Sequence, residues 1–414
     1  MYSLHLTAEQ IEFRDTVRSF AENEIKPSAI LPDRLEPFEK PLMKDLLDAT
    51  SQLGLRTLTL SEDAGGVGAD TLTSCIVLEE LAAGDIDIAV VLGQTALLGH
   101  LLFDKWMTAD QREEFLPRFV DSDTFHLGYA GRDVGALTGW SYHHDLYDEP
   151  GNEPVAVKQG DDWVIDGSVS FVANAPIAEL FVVQVRTDPK KSGPDGLSAL
   201  LVPRDTPGLT IHEPPKAIGE TDVRWHHGCV SGVSFSKCKV PAGNMLGGEG
   251  KAPVAGTDYT VRNALQRAAI NLGLGRAALD AAVEYTKIRR QGGRMIVGHQ
   301  AIGQKIADMA IKLEVARTMI WKAAWVADHP EAVADHSVSE LPLHIVAGTF
   351  TADVVHEVAL EAAECFGAMA VMRDMPLQKY VTDGFMFLHS EMNDIATKLQ
   401  IAESVVDYQR SQAA

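Results

Sequence analysis

The stretch Tyr285-Thr286-Lys287-Ile288-Arg289-Arg290-Gln291-Gly292-Gly293-Arg294, followed by His299-Gln300-Ala301-Ile302 and Ala307-Asp308-Met309, decides how the whole chain is read. Taken alone it is the basic end of a helical pattern, with Lys287, Arg290 and Arg294 beside Arg289 as solvated charge. Helical spacing runs on either side of it. Leu272, Leu274, Ala277, Ala278 and Leu279 lie before it, Ile302, Ile306, Met309, Ile311 and Leu313 after it, and a further pattern spans Leu343 to Gly367. Residues 246–414 are therefore expected to form a C-terminal helical bundle.

Moving outward, the pattern changes to short apolar runs bounded by Gly, Pro or Asp. They are Trp163-Val164-Ile165-Asp166-Gly167, Leu180-Phe181-Val182-Val183-Gln184-Val185 and Leu197-Ser198-Ala199-Leu200-Leu201-Val202-Pro203. Residues 123–245 are read as a central β domain. Residues 1–122 are helical again: Thr7 can cap a helix with Gln10 as its capping-box partner, and Ile11, Phe13, Val17, Phe20 and Ile25 recur at helical spacing before Pro27. The turn-rich Glu62-Asp63-Ala64-Gly65-Gly66-Val67-Gly68 interrupts this domain, and its glycines are expected to let two helices approach closely. Strands grouped between two helical regions give an α+β fold, a small sheet between helical layers rather than a parallel βαβ array.

The chain has 414 residues, 46% of them hydrophobic, with a mean hydropathy of -0.03. That is enough to bury one large core or two to three smaller ones. Its 36 basic and 58 acidic residues leave a net charge of -22, which repels nucleic acid and anionic membrane. An anionic ligand then requires a local cluster of Arg, Lys or backbone N–H donors. The four cysteines, Cys75, Cys229, Cys238 and Cys365, are scattered without a CxxC pair, against both a disulfide framework and a zinc site. Met1-Tyr2-Ser3-Leu4-His5 leads directly into an amphipathic helix without the order of a signal peptide, so a cytoplasmic protein is expected. No apolar run is read as approaching the roughly 20 residues of a membrane span.

Familiar nucleotide and nucleophile motifs are missing. No GxGxxG opens a helix after a strand, no Gly-rich loop ends in Gly-Lys-Ser/Thr, and no GxSxG occurs. His143-His144 and His226-His227 are adjacent pairs, which on a strand face opposite ways and serve one metal poorly, so no metal site is expected.

The segment at Tyr285 resembles the signature of the acyl-CoA dehydrogenase family, in which Tyr, three residues, Arg, x, Gln, Phe and Gly precede a His/Phe-Gln pair entering a helix. Gly367-Ala368-Met369-Ala370-Val371-Met372-Arg373-Asp374-Met375-Pro376 with Asp383 resembles the family's Gly-Gly-x-Gly-Tyr-x-Arg-Asp/Glu-x-Pro…Asp motif. Val240-Pro241-Ala242 with Asn244, Leu246, Gly247 and Gly250, and Trp163 to Gly167 with Phe171-Val172-Ala173-Asn174-Ala175, are similar to its β-domain segments in the same order. The resemblance covers roughly Leu6 to Tyr408. It implies an N-terminal helical domain, a β domain and a C-terminal four-helix domain, FAD between the last two, an acyl-CoA substrate, electron-transfer flavoprotein as acceptor, and a homotetramer or a heterotetramer with a related subunit.

By the same resemblance Glu391, eight positions after Asp383, is the base that removes the α-proton of the thioester. A carboxylate in a water-poor pocket suits that task because burial raises its pKa toward neutrality. The resemblance assigns Arg289, Gln291, Gln300, Phe171, Ala173, Asn174, Glu364, Gly367 and Asn393 to FAD. It assigns Arg262, Asp133 and Met392 to the substrate. Arg289 suits a pyrophosphate because a guanidinium is a planar, permanently charged fork. Asn263 stands where some family members place the base, and Asn cannot act as one.

The pattern breaks around the cofactor. The family's Thr-Glu-x-x-Ala-Gly-Ser-Asp loop survives only as Gly128-Tyr129-Ala130-Gly131-Arg132-Asp133. Ala173 replaces a hydroxyl residue, Phe171 a Trp and Gly292 a Phe, while Glu364 replaces a Gln near phosphates, where a carboxylate is repulsive. Glu391-Met392-Asn393 replaces Glu-Gly-Thr, and the Arg that follows the entry to the third domain is displaced to Arg262 or Arg267. Three readings compete: an enzyme for an unusual, cyclic or polar acyl group, a flavin-deficient partner subunit of a heteromeric dehydrogenase, and a reduced-flavin monooxygenase on the same fold.

Overall fold

The computed structural model describes residues 5–35, 40–131, 153–191, 194–213, 226–252, 257–389 and 395–406. The first helical region comprises α1 (Ala8–Phe20), α2 (Lys26–Ala29), α3 (Lys44–Gln52), α4 (Thr71–Gly84), α5 (Ile86–Gly99) and α6 (Ala109–Val120). Thr7 and Gln10 cap α1 reciprocally, as read from the sequence: the Thr7 hydroxyl accepts from the Gln10 amide at 3.1 Å and the Gln10 side chain accepts from the Thr7 amide at 3.0 Å. Asp70 and Asp85 cap α4 and α5 by accepting from the amides of Thr73 and Ile88 at 2.7 and 3.0 Å.

Two expectations need correction here. A π-helical stretch, His100–Trp106, prolongs α5, so Ile86–Trp106 forms a helix of 21 residues whose most apolar window has a mean hydropathy of 1.7, long and apolar enough to cross a membrane. The interruption by His100, Asp104 and Lys105 hides this in the sequence. Of its most apolar window 83% is buried inside the protein, which makes it a core helix enclosed by α4, the sheet and the C-terminal bundle. The glycines after Glu62 do not join two helices. A Cβ on Gly66 would lie 2.2 Å from the Leu60 carbonyl oxygen, so they let the loop fold back on itself.

Among the described residues, β1 (His126–Ala130), β2 (Val155–Gln159), β3 (Asp162–Ala173), β4 (Ala178–Arg186), β5 (Leu197–Pro203), β6 (Leu209–Ile211), β7 (Val230–Pro241) and β8 (Met245–Leu246) form one sheet. Its order is β6-β7-β3-β1-β4-β5-β8, with β2 joined to β3 and β4. Only β1–β4 and the single bridge from β2 to β4 are parallel. One face packs Ile165, Val172, Phe181, Val183, Leu200 and Phe235 into a core of its own. The other places Leu127, Leu180, Val182, Ala199 and Leu201 against Leu98, Leu102, Phe103, Phe115 and Phe119 of the helices. Strand alternation thus supplies two cores from one sheet.

The chain continues through α7 (Thr257–Ile288), a hairpin of β9 (Arg290–Gln291) and β10 (Arg294–Met295), then α8 (Gln300–Asp328), α9 (Glu331–Ala334), α10 (Leu343–Phe366), α11 (Leu377–Leu388) and α12 (Ile395–Val406). Helix α7 packs against α4, α8 and α10 in the largest hydrophobic core. Buried Glu79 and Glu80 fasten α4 to this bundle. Glu80 accepts from Arg18 at 2.6 Å and from Arg276 at 2.5 Å, and Glu79 from Arg317 at 2.8 Å. Burial pushes the Glu80 carboxyl up, but the bonds from Arg18 and Arg276 outweigh it and hold the group below its usual range.

His126, at the start of β1, is 2% exposed, with Nδ1 3.2 Å from the Thr95 hydroxyl. Burial, then the cations of Arg56 and Lys44, pull its pKa down to about 3. The unfolded chain therefore binds a proton that the folded chain refuses, and stability falls as pH drops from about 6.5 toward 3. The loss at pH 5 from this group is about 2 kcal/mol. We predict that His126→Gln, which keeps a polar side chain but does not titrate, flattens the difference in urea unfolding free energy between pH 7 and pH 5 by about that amount. An unchanged pH slope in the variant would show that His126 is not the group responsible.

Candidate functional site

The site is built where the end of β3 meets β1, α5 and α7. Tyr129 of β1 lies directly opposite Ala173 of β3, and residues paired in this way share a face of the sheet. Phe171, two positions back along β3, lies in a bulge between Val169 and Val172 and is half-buried like Ala173. The Tyr129 and Tyr259 rings meet at 4.9 Å, and Tyr129 donates to Gln184 at 3.2 Å. Gln94 of α5 donates to the Tyr259 hydroxyl at 3.0 Å.

Asn174 fastens this corner. It is 1% exposed and adopts φ 63, a left-handed conformation that Asn tolerates better than most residues. Its side-chain amide donates to the Val91 carbonyl at 3.0 Å, the Thr95 hydroxyl at 3.2 Å and the Leu127 carbonyl at 3.3 Å. Its backbone amide donates to the Cys229 carbonyl at 2.8 Å. The resemblance placed Asn174 among the cofactor contacts. Its side-chain amide is instead engaged within the protein, joining β3, β1 and α5, and it positions Ala173 and Phe171 through the backbone.

From Phe171 a run of rings crosses to the C-terminal bundle. Phe171 meets His226 edge-on at 5.9 Å, and His227 stacks on Phe387 of α11 at 4.1 Å. His227 Nε2 lies 4.0 Å from buried Asp383, which accepts from Lys379 at 2.6 Å. Arg267 of α7 lies over the Phe387 ring at 5.7 Å. Sequence reasoning weighed His226-His227 only as metal ligands. Among the described residues no group of three or more His, Cys, Asp or Glu could hold a metal ion.

Arg262, expected at the substrate, is held by two carboxylates. Its Nε donates to Asp258 at 2.6 Å and its Nη1 to Asp328 at 2.8 Å, with Thr71 as a further partner, while Lys105 reaches Asp258 at 2.7 Å. This clamp joins α7, α8, α4 and the end of the α5 helix, and it forms one wall of a polar cavity of about 700 Å³ with Ser61, His100, Asp104 and Gln266. Of the two arginines left open by the sequence, Arg267 is the one that faces the ring bridge.

The remaining expected residues gather at the far end of the bundle. Tyr285 in the last turn of α7 stacks on Phe366, the last residue of α10, at 4.0 Å. This contact brings Arg289, Gln291, Gly367 and, one turn back on α10, Glu364 to one end, with exposed Gln300 opening α8 after the hairpin. The hairpin turns on Gly292 and Gly293, both at positive φ (62 and 83), the requirement of a two-residue turn; the reading of a basic helix end missed it. Lys287 pairs with Glu284 at 2.7 Å, Arg290 donates to the Gly293 carbonyl and Arg294 to the Gly298 carbonyl. Among the described residues Arg289 alone of these four cations has no such side-chain bond. Glu364 pairs with Lys305 at 2.5 Å, and this hydrogen bond, then the attraction of the ammonium, hold its carboxyl below the usual range. Lys305 thereby offsets the carboxylate that the sequence reading found repulsive beside phosphates.

The two groups of residues are separate on one chain. From Tyr259 to Ile288 the helix α7 rises about 1.5 Å per residue, or about 44 Å in all. Asp133, Glu391, Met392 and Asn393 lie outside the described residues.

Three domain models match in order: acyl-CoA dehydrogenase N-terminal domain over residues 7–123, middle domain over 147–233 and C-terminal domain over 260–385. The mitochondrial isobutyryl-CoA dehydrogenase of Dictyostelium discoideum is 28% identical over 97% of this chain and 90% of its own. The butyryl-CoA dehydrogenase of Megasphaera elsdenii superposes with a TM-score of 0.81 at 26% identity, over 98% of this chain and 100% of that one. A chain solved in a study of the electron transferring flavoprotein of Acidaminococcus fermentans gives 0.80 at 25% identity, over 98% and 100%.

Asn174→Ala removes the side-chain bonds from Asn174 to Val91, Thr95 and Leu127 and leaves a less tolerant residue at φ 63. A loss of about 2–3 kcal/mol is expected, from buried hydrogen bonds and left-handed strain together. Asn174→Gly, free of the strain, should lose less. Urea unfolding of both variants checks this, and an alanine variant as stable as wild type would contradict it.

Proposed function

Since this chain belongs to the acyl-CoA dehydrogenase family, oxidoreductases acting on CH–CH groups, we propose that it binds FAD against Phe171 and Ala173 and oxidises the Cα–Cβ bond of a CoA thioester with Glu391 as base. The observation that carries this reading is the bridge Phe171–His226, His227–Phe387. Phe387 precedes Glu391 by four residues, so at most about 14 Å of chain separates Glu391 from the bridge.

The half-buried Phe171 and Ala173 suit a flat aromatic ring system. Ala173 has no hydroxyl to offer it, so only packing and backbone groups remain there. When bound, FAD accepts the β-hydride. The chain's own part is to remove the α-proton at Glu391 and to hold the thioester out of water, with Arg267 a cation over the Phe387 ring. Arg289 and Gln291, about 44 Å away along α7, serve the FAD of a neighbouring copy or related subunit in a tetramer. The exposed Ile311 (61%) and Val315 (50%) on α8 supply apolar surface for such an assembly. Electron-transfer flavoprotein is the proposed acceptor.

The purified protein should show flavin absorption that bleaches when a suitable CoA ester is added without oxygen. Glu391→Gln should keep the flavin and slow bleaching by about 10²–10⁴-fold. Arg289→Ala should weaken FAD retention by about 1.5–3 kcal/mol. A colourless protein that takes up no FAD would favour the flavin-deficient subunit. Bleaching of the Glu391→Gln variant at the wild-type rate would remove Glu391 as the base.

A further inference from the structure

We infer that Tyr129, Tyr259, Gln94 and Gln184 close the acyl site beyond the reacting carbons, so that the substrate carries a compact acyl group and not a long linear chain. The inference rests on the assignment of FAD to Phe171 and Ala173. If the ring lies there, a substrate's Cβ must lie beside it, and whatever the acyl group carries past Cβ meets the residues next to Ala173 on that face. The first is Tyr129, its direct partner across the strands. Tyr259 lies against Tyr129 at 4.9 Å, so the two rings form one wall.

This wall is braced rather than loose. Gln94 donates to the Tyr259 hydroxyl at 3.0 Å from α5, and Tyr129 donates to buried Gln184 of β4 at 3.2 Å. Tyr259 sits in the first turn of α7, which Lys105 and Arg262 anchor through Asp258 at 2.7 and 2.6 Å. A linear tail that displaced either ring would strip these bonds from half-buried and buried groups, and a methylene offers no replacement. A ring or a short branched group ending at the two tyrosines leaves the bonds intact and packs on aromatic faces.

Calorimetric titration of the FAD-loaded protein with butyryl-CoA, cyclohexanecarbonyl-CoA and octanoyl-CoA tests this without relying on turnover. An open apolar tunnel would tighten binding about fourfold per added methylene, or roughly 200-fold from butyryl to octanoyl. We expect octanoyl-CoA to bind no tighter than butyryl-CoA, cyclohexanecarbonyl-CoA to bind at least as tightly, and Tyr259→Ala or Tyr129→Leu to restore a tenfold or greater gain for octanoyl. Tightening near 200-fold in the wild-type protein would overturn the inference alone. Length-selective binding without flavin bleaching would leave it standing and overturn the dehydrogenase reading. Failure of every ester to bind would remove both.

Discussion

The side-chain amide of Asn174 is the contact on which the arrangement depends. One buried NH₂ group reaches the Val91 carbonyl of α5, the Thr95 hydroxyl one turn on and the Leu127 carbonyl of β1, from the residue that follows β3. Holding a non-glycine residue at φ 63 costs of order 1 kcal/mol, and a buried hydrogen bond returns a comparable amount. The balance favours the knot because the same geometry satisfies the backbone amide of Asn174 on Cys229. Thr95 also meets His126, so the helix, two strands and the titratable ring share one network. Tyr129 and Ala173 can face each other only while this corner holds.

Helix α7 converts that local corner into a molecular distance. Its first turn presents Tyr259 to the sheet and its last turn presents Tyr285 to Phe366. Between them Arg276 meets Glu79 and Glu80, which Arg18 and Arg317 approach from other helices. Removing one partner from such a buried set leaves an uncompensated charge, with a cost of about 3–5 kcal/mol. The rod is thus pinned along its length, and the separation of the two candidate groups is a property of the fold rather than of side-chain choice.

Much of the architecture was legible because it rests on periodicity. The α–β–α order, the Thr7–Gln10 cap and the long C-terminal helices are local patterns, and they stand in the structure. The apolar helix from Ile86 was misjudged because three polar residues, His100, Asp104 and Lys105, break its composition while the π-helical turn keeps its backbone continuous. Gly292-Gly293 was read only as a departure from a motif, although two glycines at positive φ make a hairpin. The harder losses are tertiary. Nothing in the spacing of Phe171, His226, His227 and Phe387 says that rings more than 200 residues apart along the chain will line up. Arg262 and Arg267 look equivalent in sequence, and only the positions of Asp258, Asp328 and Phe387 tell them apart.

Charge poses the last question, since a chain of net charge -22 is proposed to hold an anionic cofactor and an anionic substrate. Long-range repulsion is screened within about 8 Å at physiological ionic strength, so the sign of the nearest groups decides. At the hairpin the nearest groups have been sorted by their own contacts. Lys287 is paired with Glu284, and Arg290 and Arg294 are directed onto backbone carbonyls, which leaves Arg289 exposed with its fork uncommitted among the described residues. The Lys305–Glu364 pair beside it cancels the one carboxylate of the expected set. A single uncommitted guanidinium can offer two parallel hydrogen bonds to a phosphate, whereas a cluster of unpaired cations would lose part of its binding to mutual repulsion in the empty state. The pairing of its neighbours is therefore what supports the proposed role of Arg289 as an anion contact on a chain of net negative charge.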